Sequence, residues 1–167
     1  MNEIFTRRTV RQFSDEPVKD ADVEQLLRAA MQAPSAKNQQ CWEFIVTSKK
    51  EDLTKLSQTH PGGRPVENSQ VAIIVIGNTD RMTMADRYEH DLGAVSQNIL
   101  LQATTLGLGS VWCGVAPSEE RMNIVREIYN LPENLLIFSV IGIGHPKAED
   151  ALKFIDRYDE SRVTFIK

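Results

Sequence analysis

The sequence predicts an α+β fold in which helices cover a mainly antiparallel sheet. Two apolar runs rich in β-branched residues, at 71–77 and 135–143, show no polar alternation, which is typical of strands buried on both faces. Two segments, at 20–33 and 87–106, repeat apolar side chains at helical spacing. With 167 residues, 41% of them hydrophobic, and no internal repeat or low-complexity linker, residues 1–167 are expected to form one domain.

Capping and turn residues divide the chain before residue 71. Asp20 can cap the first long helix, Asp22 adds negative charge at its positive end, and Pro34 ends it near Ala33. Local composition predicts the other elements of this half: a short helix at 3–8, a strand at 43–47, a surface helix at 49–58 and a loop at 60–65.

Glycine, serine and proline mark the elements of the second half. Gly107 closes the long helix, Ser118 can cap the next one, and Pro132 stops it. The small residues beside the apolar stripe of the long helix suit a core helix and a subunit contact equally well. Residues 162–167 alternate apolar and polar side chains, which predicts an edge strand that pairs with another subunit.

Composition excludes several classes of function. A net charge of −4 argues against a nucleic-acid partner. No apolar run approaches the ~20 residues of a membrane span, and the N-terminus lacks the apolar core of a signal peptide. Cys41 and Cys113 are the only cysteines, which is typical of a reduced, cytoplasmic protein. The three histidines lie far apart, so no metal site is expected.

A basic cluster occupies residues 7–11, Arg-Arg-Thr-Val-Arg. In an extended chain Arg7, Thr9 and Arg11 share one face, because alternate side chains point to the same side. Two planar cations beside a hydroxyl suit a phosphate group, which arginine binds through paired hydrogen bonds. The alternative is a solvated basic turn near the N-terminus.

Four groups of residues follow one another along the chain. They are Arg-Arg-Thr-Val-Arg at 7–11, Ala-Pro-Ser-Ala at 33–36 with Asn38, Gln40 and Trp42, Leu-Gly-Leu-Gly at 106–109 with Val-Trp-Cys-Gly at 111–114, and Gly142, Gly144, His145 and Pro146 with Asp156 and Arg157. In this order they resemble the nitroreductase family of FMN-dependent oxidoreductases. The resemblance covers residues 4 to 160, with Cys41 at a position where the family usually has proline.

The resemblance implies how the two ends of FMN are bound. Arg7 and Thr9 are expected at the phosphate, with Arg8 close by, and Arg157 is expected to reach it from the end of the chain. Arg11 corresponds to a basic residue near the pyrimidine edge of the flavin. Arg157 has the alternative of being an ordinary surface charge.

The resemblance also implies contacts along the flavin ring. The ring is expected to lie against a loop of the other subunit formed by Pro34, Ser35, Ala36, Asn38 and Gln40. Asn38 and Gln40 could instead form hydrogen bonds with the backbone of their own loop. Trp42 could be a wall that stacks on the flavin or, alternatively, a core residue.

Backbone N–H groups of Cys113 and Gly114 are expected at flavin N5 and O4. We expect no catalytic side chain and no metal ligand, because a flavin performs hydride chemistry itself.

These implications predict a homodimer with FMN at the interface and exchanged C-terminal tails. The predicted activity takes hydride from NADH or NADPH and passes it, by a ping-pong mechanism, to an organic acceptor such as a nitroaromatic or a quinone. The acceptor and the nicotinamide preference stay open, since an insertion that often shapes the substrate pocket is short or absent. The alternatives are a flavin-binding protein without efficient turnover and a dimeric module that binds another phosphorylated ligand at residues 7–11.

Overall fold

A four-stranded sheet forms the centre of the computed structural model, which describes residues 2–167. Neighbouring strands are antiparallel throughout, and their spatial order is β1-β2-β4-β3. The predicted antiparallel α+β architecture is therefore confirmed. The strands are β1 (Trp42–Thr47), β2 (Val71–Asn78), β3 (Gly109–Gly114) and β4 (Leu135–Gly144).

Helices pack on both faces of the sheet. They are α1 (Glu3–Thr6), α2 (Asp20–Ala30), α3 (Lys50–Leu56), α4 (Arg64–Glu67), α5 (Tyr88–Thr105) and α6 (Glu119–Tyr129). One core cluster joins the sheet to α2 and α5, and a second joins the opposite face to α3, α4 and α6.

Strand β2 divides the two core clusters. Ile73 and Val75 belong to the cluster with α2 and α5, whereas Ile74 and Ile76 belong to the other. Successive side chains of a strand point to opposite faces, so a strand between two helical layers needs apolar residues at every position. This two-sided burial explains the unbroken apolar run of the sequence.

The ends of the elements follow local chemistry, with two corrections. Ser118 accepts the N–H of Arg121 at 3.4 Å and caps α6 as predicted. Asp20 was expected to cap α2, but Lys19 is the capping residue and Asp20 is already helical, where its charge still favours the helix N-terminus. The predicted loop at 60–65 is also partly wrong, because α4 begins at Arg64, with Pro65 in its first turn.

The edge strand predicted for the C-terminal segment stays a prediction, because its partner strand belongs to another subunit and the structure describes a single chain. A single 3-10 turn occupies Glu160–Arg162, and the residues after it extend without ladder hydrogen bonds within the described chain. A strand needs a neighbouring edge to pair with, and alternating side chains alone do not supply one. Phe165 and Ile166 are 74% and 96% exposed. No helix within residues 2–167 has the length and apolar character needed to span a membrane.

A small polar network ties α6 to α3 beside the end of β1. The Tyr129 hydroxyl lies 3.4 Å from Asp52 Oδ2, which also accepts a hydrogen bond from the Thr47 hydroxyl at 2.8 Å. Burial, followed by the nearby Asp52 charge, raises the pKa of Tyr129 to about 12.

The raised pKa of Tyr129 predicts a loss of stability at high pH. An unfolded tyrosine releases its proton near pH 10, so between about pH 10 and 12 the unfolded chain is deprotonated while the folded one is not. The free energy of unfolding should fall across that window by on the order of 1 kcal/mol more than in Tyr129→Phe, after allowance for solvent screening. Urea unfolding of both proteins at pH 8, 10 and 11 measures this difference, and identical pH slopes would contradict it.

Candidate functional site

A cavity lined by three arginines lies where α1 meets the C-terminal segment. Its volume is about 350 Å³. Arg7 and Arg8 follow α1 directly, and Arg157 comes from the last part of the chain, so residues from both ends of the sequence meet here. The rest of the lining is Ile4, Phe5, Ile155, Asp156 and Tyr158.

Arg8 and Arg157 are close enough to Arg7 to disfavour its charge. The pKa of Arg7 is lowered, first by burial and then by the charges of Arg8 and Arg157. Within residues 2–167 none of the three forms a salt bridge with a carboxylate. A group of unneutralised cations in one cavity is favourable for an anionic ligand.

Arg8 has a different role in the cavity from Arg7. Its two terminal nitrogens donate to the backbone carbonyls of Arg7 and, at 3.1 Å, Phe5. Arg8 therefore supports the turn after α1, while its buried Nε has no hydrogen-bond partner among the described residues.

The next residues attach the basic cluster to the edge of the sheet. Thr9 forms a parallel bridge with Ser110, and the Val10 N–H donates to the Ser110 carbonyl at 2.9 Å. Val10 packs so closely on Gly109 that a Cβ there would lie 2.6 Å from the Val10 Cβ. The Thr9 side chain is exposed.

Arg11 lies beyond this attachment and lines a different cavity from Arg7. That cavity has a volume of about 650 Å³ and is also lined by Asn68. Burial raises the pKa of the Cys113 thiol, and the positive charge of Arg11 offsets part of that rise. Arg11 therefore lies near β3. The predicted common face of residues 7–11 is thus distributed between two cavities.

Strand β3 has one open edge beyond the bridge to Thr9. Ser110 directs its carbonyl to that edge, and Val115 directs its N–H to Phe138 on β4. Backbone groups alternate between the two edges of a strand, so the Gly114 N–H faces the open edge and that of Cys113 faces β4. A Cβ at Gly114 would meet no atom within 4 Å, so the face of the strand is open at this residue.

The predicted loop is compact and contains unusual backbone. Lys37, Asn38 and Gln40 have φ of 50°, 54° and 45°, a region that costs non-glycine residues on the order of 1–3 kcal/mol each. The Ser35 hydroxyl accepts the N–H of Gln40 at 3.1 Å, and the Gln40 side chain donates to Asn38 Oδ1 at 2.8 Å. These side chains thus stabilise the loop itself.

Two residues that sequence reasoning missed hold this loop in place. The Asp91 carboxylate of α5 accepts the Ala36 N–H at 2.9 Å and the Gln39 side-chain amide at 2.6 Å. Asp91 is 4% exposed. The signal in the sequence was an acidic residue in the first turn of a long helix, which local capping effects explain equally well.

Within one chain the loop lies apart from the arginine cavity. Gln40 lines a cavity of about 560 Å³ together with Trp42 and Met31. Pro34 is exposed, whereas Trp42 is 8% exposed and belongs to the core, as its alternative interpretation held. One chain therefore does not bring the predicted loop and Arg7 into the same cavity.

The remaining reactive groups offer little chemistry of their own. Cys41 and Cys113 are buried free thiols, and burial raises the pKa of both, which keeps them protonated near neutral pH. The described residues contain no cluster of three or more His, Cys, Asp or Glu side chains arranged for a metal ion.

The sheet order, the two helical layers and the arginine cavity define an α+β protein of the nitroreductase fold. The model of the nitroreductase family matches this sequence over residues 4–72 and 63–145. The chain belongs to that family.

Related proteins match over almost the full length. A protein of Archaeoglobus fulgidus named "Putative NADH dehydrogenase/NAD(P)H nitroreductase" is 43% identical over 96% of this chain and 93% of its own. A "Putative NADH Oxidase" of Clostridium acetobutylicum superimposes with a TM-score of 0.94 at 41% identity, covering 99% of both chains. A nitroreductase, named as putative, solved with FMN from Desulfovibrio desulfuricans has a TM-score of 0.83 at 28% identity, covering 99% of this chain and 94% of that one.

Proposed function

We propose that this chain is an FMN-dependent oxidoreductase that uses NADH or NADPH to reduce a small organic acceptor such as a nitroaromatic or a quinone. The arginine cavity carries the proposal, because Arg7, Arg8 and Arg157 line it without a carboxylate partner among the described residues. The related structure that contains FMN supports the choice of cofactor. FMN, when bound, takes up hydride from the nicotinamide and passes it to the acceptor in a separate half-reaction.

The phosphate end of the site is assigned to the arginine cavity. Arg7 and Arg157 would provide charged donors for the phosphate, and Arg8, which lines the same cavity, would add its positive charge. Thr9 is exposed directly after them and would add a neutral hydroxyl donor. An anion here would favour the charged form of Arg7, whose pKa is lowered first by burial and then by the charges of Arg8 and Arg157.

The flavin end is assigned to Arg11 and the open edge of β3. Arg11 would place a positive charge at the pyrimidine edge, where reduction of a flavin adds negative charge. Of the two predicted backbone donors, the Gly114 N–H lies at the open edge and is assigned to the flavin. The Cys113 N–H faces β4 and lies within the ladder, so its predicted contact with the flavin is not part of this assignment.

The other wall of the flavin site is assigned to a second copy of the chain. The predicted wall consists of Pro34, Ser35, Ala36, Asn38 and Gln40. Gln40 lines a different cavity from Arg7 within one chain, and the apolar Phe165 and Ile166 are exposed at the end of the chain. A two-fold dimer would cover such side chains and complete two identical sites.

An anaerobic titration tests the proposed reaction. The purified protein, loaded with FMN and freed of excess, should lose its visible flavin absorbance when NADH or NADPH is added and regain it when a quinone follows. A protein that binds FMN but is not reduced by either nicotinamide would instead be a flavin-binding protein without turnover. A protein that binds no FMN would contradict the assignment of the cofactor.

Arg7→Ala should weaken FMN binding strongly. Loss of a charge-assisted donor costs on the order of 1.5–3 kcal/mol, which is about ten-fold or more in the dissociation constant. Arg8→Ala should cost less, because its terminal nitrogens already bind backbone carbonyls. Fluorescence titration with FMN compares the two variants, and an Arg7 variant with the parent's dissociation constant would remove Arg7 from the phosphate site.

Arg11→Gln should lower the midpoint potential of the bound flavin and slow its reduction by nicotinamide. The variant removes a positive charge that stabilises the reduced cofactor. Lys55→Gln, a charge change on the exposed surface of α3, serves as the control and should leave the potential unchanged. Spectroscopic redox titration measures both, and an unaltered potential in an Arg11 variant that still binds FMN would exclude this role.

The protein should be a dimer with about one FMN per chain, and loss of FMN should weaken the dimer. Shared sites link the two equilibria, and interfaces of this kind commonly bury roughly 2,000 Å² or more. Sedimentation velocity at several protein concentrations, with flavin and protein absorbance followed together, measures this linkage. A monomer with full flavin occupancy and activity would contradict the shared-site arrangement.

A further inference from the structure

The loop at residues 35–40 is held in a shape that its own residues do not favour. Lys37, Asn38 and Gln40 all have positive φ, which side-chain-bearing residues rarely adopt. Three such residues within four positions need contacts from outside the loop. Those contacts come from α5 and from the segment that precedes it.

The Asp91 carboxylate supplies the first contact. It is buried near the N-terminal end of α5, where the helix dipole favours a negative charge. One oxygen accepts the backbone N–H of Ala36 at 2.9 Å, at the start of the loop. The other accepts the side-chain amide of Gln39 at 2.6 Å, close to its end.

The Gln39 side chain extends the contact to the residues before α5. Its oxygen accepts the N–H groups of Thr83 and Met84 at 3.0 and 2.9 Å. The amide of Gln39 is therefore held at both ends, by Asp91 and by this backbone segment. The left-handed residues Asn38 and Gln40 lie directly on either side of it.

We propose that Asp91 and Gln39 are a positioning pair that holds residues 35–40 in the shape required to contact the flavin. The proposal rests on the proposed function, which assigns this loop to a wall of the FMN site. Neither residue is itself among the predicted flavin contacts, and both act through Ser35, Asn38 and Gln40. Without the pair, the left-handed residues can relax to negative φ, and the flavin contacts move away from their positions.

An exchange of polarity between the two residues separates this role from a general effect on stability. In Asp91→Asn, an amide N–H donor faces the amide N–H donor of Gln39, so the hydrogen bond between them is lost. In Gln39→Glu, two carboxylates face each other across the 2.6 Å contact and repel. The double variant restores one donor and one acceptor at that contact, while the new amide at position 91 keeps an oxygen for the Ala36 N–H. Its cost lies at the Met84 carbonyl, which accepts from the Gln39 amide at 3.3 Å in the parent and faces a carboxylate oxygen in the double variant.

Two readouts are compared for the parent, both single variants and the double variant. The first is the dissociation constant for FMN, with the visible circular dichroism of the bound flavin. The second is hydrogen exchange at the amides of Ala36, Thr83 and Met84 in the FMN-free protein. Ser96→Ala is the matched control. It removes the buried hydrogen bond between the hydroxyl of Ser96 on α5 and that of Ser139 in the sheet, whose oxygens lie 3.2 Å apart.

Each single variant should raise the dissociation constant for FMN roughly ten-fold and speed exchange at the three amides. The double variant should return both quantities to within about three-fold of the parent, since the charge-assisted contact is restored. Ser96→Ala should lower the melting temperature without changing the dissociation constant, the flavin dichroism or exchange in the loop.

Several outcomes overturn the positioning pair. Single variants that bind FMN like the parent overturn it, as does a double variant that does not fold or recovers nothing. A Ser96 variant that loses FMN to the same extent shows a general effect on stability. A parent that binds no FMN overturns the proposed function and the flavin part of this inference, whereas unchanged exchange in the FMN-free variants overturns the positioning pair alone.

Discussion

Burial of β2 on both faces is the constraint on which the rest of the structure depends. Every residue from Val71 to Gly77 is buried, so helices must pack on both sides of the sheet. The pairing of β2 with β1 and β4 places β3 at the far edge. That edge accepts the bridge from Thr9 and Val10, and the basic residues on either side of the bridge are thereby placed at the sheet's border.

The resulting site depends on charges that the chain itself leaves unpaired. One cavity is lined by Arg7, Arg8 and Arg157. Burial, followed by the charges of the other two arginines, makes the charged form of Arg7 less favourable there. Such an arrangement is favourable when a ligand supplies the negative charge. The loop at residues 35–40 also has an unfavourable backbone, because its left-handed residues are held by contacts within the loop and by the buried Asp91 carboxylate.

The sequence predicted the features that depend on local patterns. The apolar run at 135–143 corresponds to β4 at Leu135–Gly144, and the helix expected at 87–106 is α5 at Tyr88–Thr105, because burial requires those patterns. The edge strand predicted at 162–167 stays a prediction, since its alternation needs a partner strand from another subunit and the structure describes one chain. The pair of Gln39 and Asp91 was missed because 52 residues separate them and each has an ordinary local explanation.

The central claim is that the arginine cavity binds the phosphate of FMN, and comparison of FMN with riboflavin tests it most directly. The two molecules share the flavin ring and the ribityl chain and differ by the phosphate. Isothermal titration should show that the protein binds FMN about 100-fold more tightly than riboflavin or better, since two charge-assisted contacts are lost with the phosphate. Equal affinities for the two flavins would contradict the claim.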